Sequence, residues 1–131
     1  MDKQILISIH PIHAKAIYEG RKLIELRRSL PKNFCGHLVF MYETAPVSKI
    51  TGWFVIGAYI HVRKDGFWTG FGHLTGITKD EFFNYFSGQE YAHGIYINSG
   101  HRYKNPLSLK DFMLNRPPLS WQYIYYYPNV D

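Results

Sequence analysis

The chain has 131 residues and a mass of 15.4 kDa, with 15 Lys plus Arg against 10 Asp plus Glu and a net charge of +5. That length suits one domain over residues 1–131 and is too short for two cores. With 46% hydrophobic and 19% charged residues, disorder is excluded for the chain as a whole. Aromatic residues reach 18%, led by 11 Tyr, which is more than a core of this size absorbs and places some rings at a working surface.

A lone cysteine, Cys35, offers no internal disulfide and argues against a secreted, bridge-stapled scaffold. No run approaches the roughly 18 apolar residues of a membrane helix, so a soluble cytoplasmic protein with no membrane partner is expected. Residues 1–37 hold seven Lys or Arg and three acids, so four of the five net charges fall in that third. A concentrated basic edge favours polyanionic partners, and it also fits simple solubility.

In chain order, Ile5 to His10 alternates, with Ile5, Ile7 and Ile9 on one face, and reads as a strand. Pro11 suits a first helical turn and Gly20 a stop, which predicts a short helix over 12–19. Ile24 and Leu26 then oppose Glu25 and Arg27, a second strand with a charged face. Pro31-Lys32-Asn33 marks a loop, Leu38 to Tyr42 a third strand, and Thr44-Ala45-Pro46 a bend.

Thr51 to Val62, interrupted by Gly52 and Gly57, predicts a long bent strand with bulges. Lys64 to Gly76 carries four glycines with Phe67, Trp68 and Phe71 and predicts a long, aromatic-tipped loop able to dock a protein partner. Thr78 to Glu81 is a capping box ahead of Phe82, Phe83 and Phe86, and Gly88 ends that helix. Ala92 to Asn98 and Gln122 to Tyr127 are the last strands, separated by a helix start at Pro106-Leu107-Ser108 and a break at Pro117-Pro118. The expected fold class is α+β: a small curved β-barrel of five to six mixed strands with two to three short flanking helices.

The segment Gly20 to Arg27 packs Lys22, Glu25 and Arg27 with Arg21 onto a turn and one strand face. It reads either as a solvated charged hairpin or as a cleft wall that grips an anion or a polar base. Seven histidines raise the question of a metal, but Cys35-Gly36-His37 is the one close Cys/His pair, and His10 and His13 straddle a proline. No metal and no cofactor are expected. In the C-terminal run, Trp121, Tyr123, Tyr125 and Tyr127 share one strand face, where most rings line the barrel; Tyr123 and Tyr125 are candidates for stacking a base.

Leu6 to Pro11, the short helix ending in Gly20, and then Gly20-x-Lys22-x-x-Glu25-x-Arg27 resemble the ASCH domain family of the PUA-like superfamily. The likeness continues through Tyr42-Glu43-Thr44-Ala45-Pro46-Val47, Ile50-x-Gly52-x-Phe54, Glu81-Phe82, Pro106-Leu107 and Pro117-Pro118-Leu119-Ser120-Trp121-x-Tyr123, in order over nearly the whole chain. It implies a small PUA-like barrel with a cleft beside the signature, and binding of RNA, other single-stranded nucleic acid or a modified nucleoside, in connection with translation or transcription regulation. Carried over by position, Ser8, His10, Lys22, Glu25, Arg27 and the run Tyr42 to Pro46, with Glu43 and Thr44, would line that cleft; in the binding hypothesis Arg21 would join Lys22 and Arg27 at phosphate, and Tyr123 is a candidate for stacking a base. Many relatives have Lys where this chain has His10, which makes an anion contact there pH-dependent.

One branch of the superfamily hydrolyses N4-acylated cytidines with the signature Lys as base, a Thr three residues on and a distal Glu. Here Glu25 stands in the Thr position, so the alternative is a small hydrolase with Lys22 and Glu25 as catalytic residues: an amidohydrolase of that kind, or the metal-assisted ribonuclease suggested for other ASCH-like proteins. Arg21, Arg27 and Arg28 would lower the pKa of such a lysine, and Glu25 would raise it.

Overall fold

A computed structural model describes residues 2–30 and 36–129. The expected loop at Pro31-Lys32-Asn33 and the single Cys35 lie outside the described residues. The elements run β1 (Gln4–Ile9), α1 (Pro11–Tyr18), β2 (Ile24–Arg27), β3 (Leu38–Glu43), β4 (Lys49–Arg63), α2 (Lys64–Phe71), α3 (Lys79–Tyr85), β5 (Tyr91–Leu107) and β6 (Trp121–Ile124). Short 3-10 turns at Gly72–Leu74 and Leu109–Phe112 fill two of the connections. No helix among the described residues is long and apolar enough to cross a membrane.

The six strands form one mixed sheet in the order β2-β5-β4-β3-β1-β6, curled into a half-barrel. β1 pairs parallel with β3, with Ile7 opposite Met41, and antiparallel with β6. β4 and β5 form a long antiparallel ribbon whose register slips beside Gly52 and Gly57, the bulges read from the glycines. The period-two pattern of β1 holds: Ile5, Ile7 and Ile9 join Val39, Met41, Phe54 and Ile95 and the α1 residues Ala14 and Ile17 in one cluster. Leu6 turns the other way, to Phe40, Ile50 and Phe112.

Three expectations need correction. Residues 64–74 are not a loop but helix α2 followed by a 3-10 turn. Phe67 is fully buried there and Trp68 packs on Phe82 at 5.3 Å, so the pair is no exposed docking tip. Gly66 and Gly70 read as loop punctuation, but burying Phe67 outweighs the weak helix propensity of glycine. The fit depends on Gly94 in β5, where a Cβ would lie 2.8 Å from both Phe67 and Ile24.

β5 runs on through Asn98 and Pro106 to Leu107, because its pairing with β4 continues to Ile50 opposite Leu107; Ser108 then caps the 3-10 turn. β6 stops at Ile124. Tyr125 is 63% exposed, and Tyr127 folds back over Phe40, its hydroxyl donating to the Asp2 carbonyl at 2.8 Å.

Candidate functional site

Ile24 and Leu26 are drawn into a cluster with Phe67, Phe82 and Phe86. The alternation of β2 therefore turns Glu25 and Arg27 to the opposite face, at the end of the Ile-rich cluster. They are not a solvated hairpin: Lys22, Glu25 and Arg27 are 3%, 5% and 7% exposed.

Arg27 is committed to protein acceptors on three sides. Its Nε donates to Glu25 Oε2 at 2.9 Å, and Nη2 stands 2.8 Å from the same oxygen. Nη2 also donates to the Ser8 carbonyl at 2.8 Å, and Nη1 reaches the Ser120 carbonyl and hydroxyl at 3.3 Å each. Arg27 is thus a positioning group more than a free phosphate donor.

Lys22 is held differently. Its Nζ donates to the Thr75 carbonyl at 2.6 Å and lies 3.9 Å from Glu25 Oε1. Gly76 makes this cover possible: its φ is +72°, and a Cβ there would stand 3.2 Å from Lys22 Cβ. Burial pushes the Lys22 ammonium below its ordinary pKa and Arg27 adds to that, while Glu25 and Glu81 oppose it. Two buried cations around one buried carboxylate leave one surplus positive charge.

The triad opens on a cavity of about 750 Å³. Ser8, His10, Lys22, Glu25, Arg27 and Thr44 all face it, six of the residues expected at a ligand site. Arg21 does not; it points to solvent and bonds Glu19 at 2.9 and 2.6 Å. Tyr42 is buried with Leu6 and Phe40. Glu43 is buried away from the cleft, near enough to Tyr18 to help raise that hydroxyl, chiefly through burial, to about 12. Tyr123 packs edge-on against Trp121 at 5.2 Å, with Lys3 Nζ 4.3 Å over its ring.

Sequence reasoning passed over His13, Arg28, Glu81, Tyr85 and Ser120, which also line the cavity. His10 is the N-cap of α1 and His13 sits in its first turn. The intervening proline therefore brings the two histidines together instead of separating them, with ring centroids 6.4 Å apart. Burial, then Lys22, lowers the pKa of His13; His10 adds to this, and Glu25 and Glu81 oppose it. Glu81 is the capping-box carboxylate expected from the sequence, accepting from Thr78 N at 2.9 Å, and it faces the cleft as well.

Fold and cleft together define a curled half-barrel with a cationic pocket at one end. No family model matches the chain. In sequence it is 29% identical over 125 residues, covering 91% of this chain and 84% of the relative, to a protein of Zymomonas mobilis subsp. mobilis named ASCH domain-containing ribonuclease. The crystal structure of ASCH from Zymomonas mobilis superposes with a TM-score of 0.85 at 25% identity, over 93% of this chain and 87% of that one. A tyrosine-to-phenylalanine variant of it gives 0.86 over 95% and 91%, at 24% identity. In sequence and in fold the chain is similar to these ASCH proteins over nearly its whole length, as its motifs indicate. It also matches, at 25% identity over 92% of its length, a stretch amounting to 39% of large ribosomal subunit protein uL22 of Ureaplasma parvum.

Proposed function

We propose that the chain binds RNA, or a modified nucleotide, in the cleft floored by Lys22, Glu25 and Arg27. The observation that carries this reading is the surplus buried positive charge opening on a cavity of about 750 Å³, a volume within the range of small-molecule sites. The ribonuclease name of the Zymomonas relative supports a polynucleotide over other anions. Lys22 meets a phosphate, and Arg28 at the rim meets a second. Glu25 Oε1, the oxygen not held by Arg27, accepts from a base amino group, and Tyr85 is the ring placed to stack on a base.

Polarisation of a labelled single-stranded RNA across a salt series tests this. Two phosphate contacts give a log–log slope of about −1.4, and Lys22→Met brings it to about −0.7. No binding of any oligonucleotide at low salt, or a salt-independent affinity, sinks the proposal.

The lowered pKa of Lys22 also favours the reading in which it is a hydrolytic base toward an N4-acylated cytidine. Incubation with N4-acetylcytidine decides this: hydrolysis lost in Lys22→Met supports it, and no hydrolysis by the wild type rejects it.

A further inference from the structure

We infer that His61 and His93 hold a divalent transition metal of tetragonal preference, Cu²⁺ or Ni²⁺, on the β4–β5 ribbon, with Tyr59 supplying a third, oxygen donor. None of these three residues lines the cleft.

β4 and β5 pair antiparallel with His61 directly opposite His93, so the two side chains leave the same face of the sheet. Tyr59, two residues before His61, shares that face. The polar atoms converge on His93 Nδ1: His61 Nδ1 lies 2.8 Å from it and Tyr59 Oη 3.0 Å. Stacking holds the rings in place, with His61 parallel to Tyr91 at 5.0 Å and 3° and to Tyr59 at 6.3 Å and 8°. An imidazole already fixed by its neighbours gives up little freedom on ligation. His61 is exposed and His93 half-buried, so an ion can reach them from solvent. The two histidines stand 32 residues apart in the chain, and only the register of the ribbon brings them to ligand spacing.

Two bonds of about 2.0 Å to one ion across the 2.8 Å gap subtend about 90°. That is the cis angle of a square-planar or tetragonal site, whereas the tetrahedral angle of zinc needs the nitrogens about 3.3 Å apart. Imidazole suits copper and nickel, and the affinity order of divalent ions puts copper first. Burial raises the pKa of the Tyr59 hydroxyl, so it joins as a neutral, weaker donor. Each ligating imidazole keeps its one proton on Nε2. The nearby cations are balanced by acids: Arg63 is ion-paired with Glu90, and Arg27, opposite His93 on β2, with Glu25.

The test titrates the metal-free whole chain with CuCl₂ and with NiCl₂ by calorimetry and records the EPR spectrum of the copper form. Expected are one equivalent of either ion, an axial copper spectrum split by two imidazole nitrogens, and a higher melting temperature with the ion than without it, because only the paired strands present the site. His61→Gln and His93→Gln should each weaken binding at least about tenfold and remove the melting shift, and the exposed His61→Gln should melt like the wild type in metal-free buffer. His10→Gln with His13→Gln, which removes the histidine pair of the cleft, should take up the ion as the wild type does. No uptake of either ion, binding undiminished in both ribbon variants, affinity lost with the cleft pair instead, or a copper spectrum without imidazole nitrogens overturns the inference.

Discussion

Glu25 and Arg27, two residues apart on a four-residue strand, meet side chain to side chain in the interior, with Arg27 Nε 2.9 Å from Glu25 Oε2. Because both are nearly excluded from water, removing one partner leaves an uncompensated buried charge. Glu25→Ala should destabilise the fold by about 3 to 5 kcal/mol, read as a lower urea midpoint at unchanged m-value. A change below about 1 kcal/mol would place the pair in the class of exposed ion pairs and contradict its burial.

Lys22 gives a pH signature of opposite sense to a stabilising pair. Burial lowers its folded pKa from the usual 10.5, so between the folded value and 10.5 the unfolded chain holds more protons. Stability contributed by this group therefore rises with pH across that window, and the penalty is complete below it. Thermal melts of wild type and Lys22→Met from neutral to alkaline pH should converge as pH rises; parallel curves would show that Lys22 titrates alike in both states.

Phe67 and Gly94 form a matched pair across α2 and β5, ring against missing side chain. Phe67→Ala should cost about 3 to 5 kcal/mol through the cavity it leaves. Gly94→Ala should also destabilise, since its methyl meets the buried side chains of Ile24 and Phe67 at 2.8 Å each. In the double variant the losses should fall short of additive by 0.5 kcal/mol or more, the size of coupling found between contacting residues, because the smaller residue at 67 makes room for the methyl. Equal, additive losses would show that the two sites are not in contact.

The α3 capping box makes a claim at acid pH. Thr78→Ala should cost about 1 kcal/mol. The Thr78 backbone and side-chain hydrogen bonds hold the Glu81 carboxyl below its ordinary range, so its contribution is present above the usual 4.5 and is lost as pH falls through the lower folded value. Glu81→Gln should flatten the acid limb of the stability curve, measured by far-UV circular dichroism; an unchanged limb would show that the box is not formed in solution.

Local signals carried much of the architecture. Alternation in β1 and β2, proline and glycine at the ends of α1, and the Thr78–Glu81 box each depend on neighbours within a few residues, and each is found where those neighbours put it. The helix at 64–71 escaped because its cause is Gly94, some 25 residues away in sequence, and so did the full length of β5, which is set by pairing with β4. At the cleft, the signature residues Lys22, Glu25 and Arg27 announce themselves as charge in a strand, but nothing local says that Arg27 spends its donors on Ser8 and Ser120. His13, Tyr85 and Ser120 reach the cavity through the packing of α1, α3 and the segment before β6, a relation between distant parts of the chain.

The strand order has an architectural result at this same place. β2 ends one side of the sheet and β6, beside β1, ends the other, yet Arg27 of β2 is bonded to Ser8 of β1 and to Ser120, the residue before β6. The two free margins of an incomplete cylinder are therefore stitched by one guanidinium where a closed cylinder would have backbone pairing. The mouth of the cleft is the gap that remains, and its width is set by the reach of a single arginine. Shortening that side chain unties the two margins and alters the aperture of the vessel.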